Sequence, residues 1–543
     1  MKMAKLGNPI IRGFNPDPSI CKGRDAYYIA TSTFEWYPGV QIHRSDDLEN
    51  WTLITRPLNE ARLLDMTGVP DSCGVWAPCL TYADGLYWLL YTNVRRFDGN
   101  FKDTPNYLTT APDIIGPWSD PIYLNSSGFD PSLFHDDDGR KWVINMVWDH
   151  RPNRSFFGGI MLQQYDHEKK ALVGEARSIF SGSPHDGTEG PHLYKREGRY
   201  YLLCAEGGTG YDHAMTVARA DRIDGPYEID PKRHLITAKD DPDHPIQRSG
   251  HGAFVETDDG RLFATYLCCR PLPLPAVERM KTSDMRRSPL GRETGIQEIF
   301  FRDGWYHSDL GNGDVRPATQ PFGPIAEQIG ETDLIYQFAP GDLPMDFQWL
   351  RTPHPEHIFS LDQRPGHLRL FGRESIGSTF VHSLVARRQT EFVYEASVMI
   401  DYEPDDFQQM AGLVTYYNGH KFHWIYISFD PEIGRFADIC TCHGDQGMAV
   451  QFPNWENRVP LPDGTVMLSV KTDHARQQFF AGRDEGSLLP VGPVLDASVL
   501  SDEAGKGEGA NFTGNFVGIN AQDLTGQVKH ADFCNFRYRT KQT

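Results

Sequence analysis

GFDPSLFHDDDGRKWVI (residues 128–144) is one of five similar stretches in this chain of 543 residues. Each stretch opens with a glycine, continues through a short polar or aromatic segment that usually contains a proline, and runs into an apolar strand. A turn and a second aromatic strand follow, and Asp-Gly between apolar runs is a strong hairpin signal. The other copies are GFNPDPSICKGRDAYYIA (13–30), GVWAPCLTYADGLYWLLY (74–91), GTEGPHLYKREGRYYLLC (187–204) and GHGAFVETDDGRLFATY (250–266).

The spacing of the copies predicts the architecture of the first part of the chain. The aligned positions Pro18, Pro78, Pro131, Pro191 and Ala253 are separated by 60, 53, 60 and 62 residues. A unit of this length has room for about four short strands, which is the content of one propeller blade. Five units therefore predict a five-bladed β-propeller over residues 1–318.

The pattern changes after the segment PATQPFGPIAEQIGETD (317–333), whose prolines and glycines indicate a domain joint. We place a linker at residues 319–335. Beyond it the blade repeat is missing and long alternating strands take its place, as in GLVTYYNGHKFHWIYISFD (412–430). Such alternation with regular turns is typical of an antiparallel β-sandwich. We predict one over residues 336–543, which makes the fold class all-β: a five-bladed β-propeller followed by an antiparallel β-sandwich domain.

The charge balance restricts the partners. Lys and Arg number 53 against 73 Asp and Glu, a formal net charge of −20. A field of that sign repels phosphate, so we expect neither nucleic acid nor membrane as a partner. The start of the chain has no apolar run long enough for a signal peptide, and the nine scattered cysteines suggest neither a disulfide framework nor a zinc site. We therefore expect a cytoplasmic protein with reduced thiols.

The repeat also predicts which distant residues meet. The innermost strands of a propeller converge on its axis, so equivalent positions of different units face one another. One place before the aligned position stand Asp17, Ala77, Asp130, Gly190 and Gly252, and two places before it stand Pro16, Trp76, Phe129, Glu189 and His251. We predict that three carboxylates, two aromatic rings and a histidine surround one axial pocket.

Three convergent carboxylates suit the cleavage of a glycosidic bond. One carboxylic acid protonates the leaving oxygen, and a second carboxylate acts at the anomeric carbon. A third carboxylate can raise the pKa of the acid by like-charge repulsion. Taken singly, Asp17 and Asp130 also suit turns before proline, and Glu189 suits a solvated loop. Their joint placement is what carries the hypothesis.

Four phrases resemble glycoside hydrolase family 43, specifically its two-domain β-xylosidases. They are NPDPS (15–19), GFDPS (128–132), TEGP (188–191) and GHG (250–252), and the likeness extends along almost the whole chain to NFTGNFVG (511–518). The resemblance implies Asp17 as general base, Glu189 as general acid and Asp130 as the residue that tunes and orients the acid. It also implies inversion at the anomeric carbon, and a concanavalin-like sandwich that closes the pocket.

The same resemblance implies residues that bind the sugar. Arg292, in LGRET (290–294), matches an arginine that holds xylose hydroxyls, and its fork of donors suits adjacent oxygens. His251 has two interpretations: we favour a histidine that orients pocket groups, whereas some family members hold calcium through the matching histidine. We therefore predict no metal and no cofactor.

Aromatic side chains complete the predicted site. Trp76, Phe129 and Phe34 match residues that wall the pocket, although core packing is an alternative for Phe34. Phe512 resembles a residue of the sandwich domain that closes the pocket from outside.

The resemblance implies the activity of an exo-acting glycoside hydrolase that releases xylose from the non-reducing end of short β-1,4-xylooligosaccharides. One alternative is an α-L-arabinofuranosidase, alone or as a second activity. Another is a non-catalytic sugar-binding propeller, against which the three carboxylates argue, because a lectin needs no buried acid with a raised pKa. The resemblance also implies a homo-oligomer with a xylooligosaccharide substrate.

Overall fold

The computed structural model describes residues 7–272, 286–309, 313–319, 332–444, 450–504 and 511–541, and almost all of its regular structure is β-strand. Four 3-10 turns, each of three residues, are the only helical elements within these ranges: Pro355–His357, Trp455–Asn457, Glu485–Ser487 and Ala497–Val499. Accordingly, the described residues include no helix with the length and apolarity to cross a membrane. All nine cysteines are free.

The first part of the chain contains the strands β1–β22, which pair antiparallel. They are β1 (Ser19–Lys22), β2 (Tyr27–Thr31), β3 (Trp36–Tyr37), β4 (Gln41–Ser45), β5 (Thr52–Thr55), β6 (Gly74–Ala83), β7 (Leu86–Val94), β8 (Asn106–Ala111), β9 (Ile122–Asn125), β10 (Ser132–His135), β11 (Lys141–Trp148), β12 (Phe157–Asp166), β13 (Ala171–Phe180), β14 (Glu189–Arg196), β15 (Arg199–Glu206), β16 (Ala214–Ala220), β17 (Glu228–Thr237), β18 (Gln247–Gly250), β19 (Phe254–Glu256), β20 (Leu262–Cys269), β21 (Glu293–Arg302) and β22 (Trp305–His307).

Five sheets confirm the predicted propeller. Their strand orders are β1-β2-β4-β5, β6-β7-β8-β9, β10-β11-β12-β13, β14-β15-β16-β17 and β18-β20-β21-β22, with β19 also paired to β20. The predicted hairpin turn at Asp84 and Gly85 has positive φ at both residues, 55° and 76°. The N-terminal segment closes the ring, because Ile10 and Ile11 donate backbone hydrogen bonds to Thr294 of β21.

A bulge recurs at the innermost strand of every blade. Asp17, Ala77, Asp130, Gly190 and His251 all have positive φ, with values of 56°, 37°, 57°, 57° and 39°. In a regular strand neighbouring side chains point to opposite faces, whereas a bulge redirects one of them. Two consecutive residues of one strand can therefore face the axis.

The bulge corrects the sequence alignment of the fifth unit. There the residue with positive φ is His251, not Gly252. The strand pairing agrees, since Gly250 pairs with Leu267 and the carbonyl of Ala253 accepts the backbone N–H of Thr265. The fifth unit is thus one residue out of register in the alignment, and Gly252 stands where the other units have proline. That unit has no proline to mark the position.

The second part of the chain forms the predicted β-sandwich. Its strands are β23 (Asp333–Tyr336), β24 (Phe347–Leu350), β25 (Phe359–Ser360), β26 (Leu368–Phe371), β27 (Ser383–Arg388), β28 (Val393–Asp401), β29 (Gln409–Asn418), β30 (Lys421–Asp430), β31 (Gly434–His443), β32 (Val459–Pro460), β33 (Val466–Asp473), β34 (Arg476–Gly482), β35 (Leu489–Asp496), β36 (Phe516–Asp523) and β37 (His530–Thr540). One sheet has the order β25-β26-β37-β28-β33-β34-β35 with β23 on β37, and the other has the order β3-β24-β27-β36-β29-β30-β31-β32.

Most of the predicted linker, residues 320–331, lies outside the described residues. Its last three residues, 333–335, already belong to β23, because that strand pairs with β37 of the sandwich. The sandwich therefore begins slightly earlier than the predicted boundary at residue 336.

The two parts share a sheet. Strand β3 follows the first hairpin of the propeller, yet its Trp36 and Tyr37 pair with Leu350 and Trp349 of the sandwich. Trp36 is fully buried and stacks on Phe516, with ring centroids 3.7 Å apart and planes 12° apart. This junction directly follows Phe34, so the contact between the parts lies beside the axial pocket.

Candidate active site

One pocket at the propeller axis brings together all nine residues proposed from the sequence. Its lining consists of Asp17, Phe34, Trp76, Phe97, Phe129, Asp130, Glu189, Thr209, His251, Arg292 and Phe512. The residues come from all five blades and, through Phe512, from the sandwich. Their individual roles stay predictions, but their convergence is a fact of the structure.

Asp17 is held by donors from two blades. Its Oδ2 accepts a hydrogen bond of 2.6 Å from the Ser32 hydroxyl, and its Oδ1 accepts one of 3.1 Å from Arg292 Nη1. His251 Nδ1 lies 3.9 Å from the same Oδ1. The Ser32 oxygen also accepts the backbone N–H of Ala77 at 2.7 Å, which links this contact to the second blade. The carboxylate is therefore fixed in one orientation.

Glu189 has different surroundings. It is the first residue of β14, and its side chain is half-buried. Burial raises the pKa of Glu189 to about 7, the Asp17 carboxylate adds to the rise, and Arg292 opposes it. A carboxyl group with this pKa is still about half protonated at neutral pH, whereas an ordinary glutamate has lost its proton, and a general acid needs that proton.

Asp130 is bonded to the bulge of the fourth blade, directly beside Glu189. Its Oδ2 accepts the backbone N–H of Gly190, the residue after Glu189, at 2.9 Å. Burial, then the charges of Glu189 and Asp17, raise the pKa of Asp130 well above its usual range. Asp130 and Glu189 thus titrate as a pair. The prediction named Asp130 as the charge that raises the pKa of Glu189, whereas the structure gives burial first and Asp17 second.

Arg292 connects the base to the sandwich. While Nη1 contacts Asp17, Nη2 donates a hydrogen bond of 2.9 Å to the carbonyl of Phe512. The guanidinium carbon lies 5.3 Å from the centroid of the Phe34 ring. Arg292 is only 3% exposed, so its charge is directed into the pocket by contacts from both parts of the chain.

Trp76 is the centre of the aromatic wall. Its ring centroid lies 5.5 Å from Phe34, 5.1 Å from Phe97, 5.6 Å from Phe129 and 5.6 Å from Phe512. The indole Nε1 donates a hydrogen bond of 3.1 Å to the carbonyl of Ser72, which fixes the ring plane. Apolar faces of this kind pack against the C–H faces of sugars.

Sequence reasoning missed two lining residues, Phe97 and Thr209. Each stands three residues past the second strand of its blade, since β7 ends at Val94 and β15 ends at Glu206. The repeat alignment stopped inside those strands. Extending it by a few residues would have placed the two side chains within one position of each other near the axis.

A larger cavity of about 510 Å³ lies at the outer edge of the third and fourth blades. Asp224, one of its acidic side chains, forms ion pairs with Arg177 and Arg222. The axial pocket differs because its carboxylates face one another with one arginine among them.

Comparison with known proteins agrees with this geometry. The family Glycosyl hydrolases family 43 matches residues 6–306, and the Beta xylosidase C-terminal Concanavalin A-like domain matches residues 336–539. The chain belongs to glycosyl hydrolase family 43. This family member is therefore an enzyme that hydrolyses glycosidic bonds.

Relatives of this glycoside hydrolase match it over almost their full length. Xylosidase/arabinosidase 43B of Humicola insolens is 49% identical, covering 99% of this chain and 98% of the relative. Beta-xylosidase of Bacillus subtilis (strain 168) is 43% identical, with coverages of 99% and 100%. The crystal structure of xylan beta-1,4-xylosidase from Bacillus halodurans C-125 superimposes with a TM-score of 0.90 at 43% identity, covering 98% of this chain and 100% of that one.

His251 is the position at which the sequence left a calcium ion as the alternative. Calcium prefers about six to eight oxygen ligands, and the described residues contain no group of three or more His, Cys, Asp or Glu side chains that could hold a metal. The metal-free pocket stays a prediction. The His251 ring packs on Gly190, where an added Cβ would lie 2.9 Å from its Nε2. Burial lowers the pKa of His251, so the ring is neutral at neutral pH.

Proposed function

We propose that this glycoside hydrolase is an exo-acting, inverting β-xylosidase that releases xylose from the non-reducing end of short β-1,4-xylooligosaccharides. The observation that carries the proposal is the convergence of Asp17, Asp130 and Glu189 in one axial pocket with Arg292. The names of the three relatives support xylose as the sugar, since each contains xylosidase.

The mechanism assigns one task to each carboxylate. Asp17 removes a proton from a water molecule, whose oxygen attacks the anomeric carbon from the face opposite the leaving group. Glu189 donates its proton to the glycosidic oxygen as that bond breaks, so xylose leaves with inverted configuration. Asp130, bonded to the Gly190 N–H, holds the strand that carries Glu189 and couples to its titration.

The size of the pocket supports exo action. Its volume is about 70 Å³, far below the roughly 300–1,000 Å³ of sites that enclose larger ligands. Phe512 of the sandwich stands against Trp76 and Phe34, so the second domain narrows the opening. A small pocket of this kind suits one terminal sugar ring and not the middle of a chain.

α-L-Arabinofuranosidase is the second candidate. The Humicola insolens relative, 49% identical, bears both activities in its name. Arabinofuranose and xylopyranose present similar hydroxyl patterns, and one arginine beside an aromatic wall suits both.

The deciding experiment compares kcat/KM on p-nitrophenyl β-D-xyloside, p-nitrophenyl α-L-arabinofuranoside and xylobiose, and follows by proton NMR which anomer of xylose is released first from p-nitrophenyl β-D-xyloside. We expect the xyloside to be the better aryl substrate and α-xylose to appear first. A higher value for the arabinofuranoside would favour the second candidate, early β-xylose would contradict inversion, and no hydrolysis of any of the three would refute the proposal.

Two variants serve as controls for that experiment. Asp17→Asn should lose about 10³-fold or more of its turnover on every substrate, because activation of water is needed whatever the leaving group. Asp46→Asn changes an exposed aspartate of the same blade and should behave like the wild type.

The proposal includes a cytoplasmic location and a homo-oligomer. Nine cysteines without a disulfide support a reducing compartment. Cell fractionation tests the location, and light scattering after gel filtration tests the assembly.

A further inference from the structure

Glu35 is a fully buried carboxyl group directly behind the wall of the pocket. It follows the pocket residue Phe34, and its side chain is 0% exposed. Its Oε2 accepts the backbone N–H of Ser72 at 3.1 Å, while its Oε1 has no hydrogen-bond partner among the described residues. A buried carboxyl group carries a large desolvation cost, so its retention calls for a role.

Ser72 connects this carboxyl group to two walls of the pocket. Its carbonyl accepts the indole N–H of Trp76 at 3.1 Å, and its hydroxyl oxygen accepts the backbone N–H of Phe512 at 3.1 Å. Ser72 has a φ of 58°, a left-handed conformation that costs a non-glycine residue free energy. Contacts from outside the loop must therefore hold it, and the bond to Glu35 is one of them.

We propose that Glu35 is a positioning residue for the terminal-sugar pocket: by holding the Ser72 N–H, it fixes the one residue that orients both Trp76 and Phe512. Glu35 touches no substrate in this proposal and acts only through Ser72. The proposal rests on the proposed function, because it assigns to Trp76 and Phe512 the task of binding the sugar that Asp17 and Glu189 process.

The surroundings of Glu35 tie this loop to the sandwich. Asp71 forms an ion pair of 2.5 Å with Arg351 Nη2 and accepts the Gly419 N–H at 3.0 Å. The backbone N–H of Arg351 donates to the Glu35 carbonyl at 2.9 Å. The pocket wall is thus anchored where both parts of the chain meet.

Burial and the titratable groups that face Glu35 decide its protonation, and the groups are few. They are Asp71 and Cys73 of its partner loop, Arg351 after β24, Tyr416 of β29, and His382, whose ring responds to Asp71 and Arg351. Burial raises the pKa of Glu35 from 4.5 to about 8, Asp71 adds to the rise, and Arg351 opposes it. Near neutral pH the carboxyl group therefore carries a proton, and its second oxygen accepts the Ser72 N–H.

Glutamine is then the matched replacement. In Glu35→Gln the amide oxygen can accept the Ser72 N–H, whereas in Glu35→Leu that N–H is buried without a partner. We expect Glu35→Gln to keep the KM for p-nitrophenyl β-D-xyloside within about twofold at pH 6, and Glu35→Leu to raise it roughly tenfold with kcat changed far less. A purely structural Glu35 would lower the thermal midpoint of Glu35→Leu without moving KM, and that result would overturn the proposal.

A double-mutant cycle tests whether the effect passes through Ser72. Ser72→Ala removes the acceptor for the Phe512 N–H and should raise KM by itself. If Glu35 acts through Ser72, the double variant Glu35→Leu/Ser72→Ala should have the KM of Glu35→Leu alone. Additive effects on log KM would show that Glu35 acts elsewhere and would overturn the proposal.

Glu35→Gln also provides a test that does not need the leucine variant to fold. Because the folded pKa of Glu35 is raised, its contribution to stability is present below pH 4.5 and is lost as the pH rises toward about 8. The thermal midpoint of Glu35→Gln relative to the wild type should therefore increase across that range. A constant difference would contradict the buried, protonated carboxyl group on which the proposal depends.

Failure of the proposed function can be distinguished from failure of the Glu35 proposal, because it is measured on the wild-type enzyme alone. If the wild type hydrolyses another aryl glycoside instead, the same KM ratios are measured on that substrate. Unchanged ratios there would overturn the role of Glu35, whatever the sugar.

Discussion

Asp17 and Glu189 are chemically similar residues in opposite surroundings. Asp17 accepts hydrogen bonds from Ser32 and Arg292, whereas no hydrogen bond to the Glu189 carboxyl group is found among the described residues. Donors favour an ionised carboxylate, and burial without donors favours a protonated one. Two carboxyl groups whose surroundings differ in this way are suited to the roles of base and acid.

The assignment of Glu189 as acid predicts a dependence on the leaving group. In Glu189→Ala, kcat/KM on xylobiose should fall roughly 10³-fold, whereas on 2,4-dinitrophenyl β-xyloside it should fall less than about tenfold, since that phenol leaves with little protonation. Steady-state kinetics on both substrates check this. Equal losses would contradict the acid role, and Asp17→Asn should lose activity equally on both as the control.

The raised pKa of Asp130 makes a prediction for the pH profile. Glu189 works protonated, so the wild-type rate should decline as the pH rises through about 7. Burial and the charges of Glu189 and Asp17 keep Asp130 protonated, so the uncharged Asp130→Asn should leave the alkaline limb within roughly half a pH unit of the wild type. The pH dependence of kcat/KM measures this, with the acidic limb as internal control. An alkaline limb that moves down by a whole unit would show instead that an ionised Asp130 raises the pKa of Glu189.

The inner-strand bulge is the structural element that lets a propeller blade direct two adjacent side chains into the axial pocket. It places adjacent residues such as Phe129 and Asp130 on the same pocket, which a regular strand would separate. At Gly190 the bulge also leaves no room for a side chain, because a Cβ there would lie 2.9 Å from the His251 ring.

Gly190→Ala should therefore damage activity beyond its effect on stability. The displaced His251 ring and the altered N–H to Asp130 should lower kcat/KM by about 10²-fold. Gly198→Ala is the matched control in the same blade, with a φ of 78° and nothing within 4 Å of the added Cβ. It should cost about 1–2 kcal/mol of stability and leave kcat/KM unchanged. Equal kcat/KM in the two variants would contradict the role of the bulge.

For the molecule as a whole, buried ion pairs join the two parts at the pocket. Arg248 Nη2 lies 2.8 Å from Asp502, and Nη1 lies 3.2 Å from Glu503. The Nε of the same arginine donates at 2.7 Å to the carbonyl of Thr209, which lines the pocket. A sandwich loop is thus bonded to a propeller residue next to the pocket.

Removing the arginine should leave two buried acids without their cation. Arg248→Met should destabilise the chain by about 3–5 kcal/mol. The triple variant Arg248→Met/Asp502→Asn/Glu503→Gln should recover most of that loss, because no unpaired charge remains. Scanning calorimetry measures both, and we expect a single transition for both parts of the chain. A triple variant no more stable than the single one would show that packing, not charge pairing, holds this contact.

Much of this protein follows from the sequence alone. A repeat of five units predicts five blades, and its period maps distant positions onto one axis, so the repeat by itself assigns Asp17, Asp130, Glu189 and Trp76 to a common pocket. The reason is physical: a local pattern of strands and turns specifies one supersecondary unit, and closure of five such units into a ring brings their equivalent positions to one axis. Arg292, Phe34 and Phe512 came instead from the resemblance to a family, because no repeat position marks them.

Only the tertiary structure decided the remaining features. The register of the fifth blade depends on the pairing of Gly250 with Leu267, since that unit lacks the proline that marks the others. The raised pKa of Glu189 depends first on burial and then on the charge of Asp17, which is far away in the chain. The hydrogen bonds by which Glu35 and Ser72 hold the pocket wall also join segments that are far apart in the chain. Such properties arise from packing in three dimensions, which a pattern of neighbouring residues does not encode.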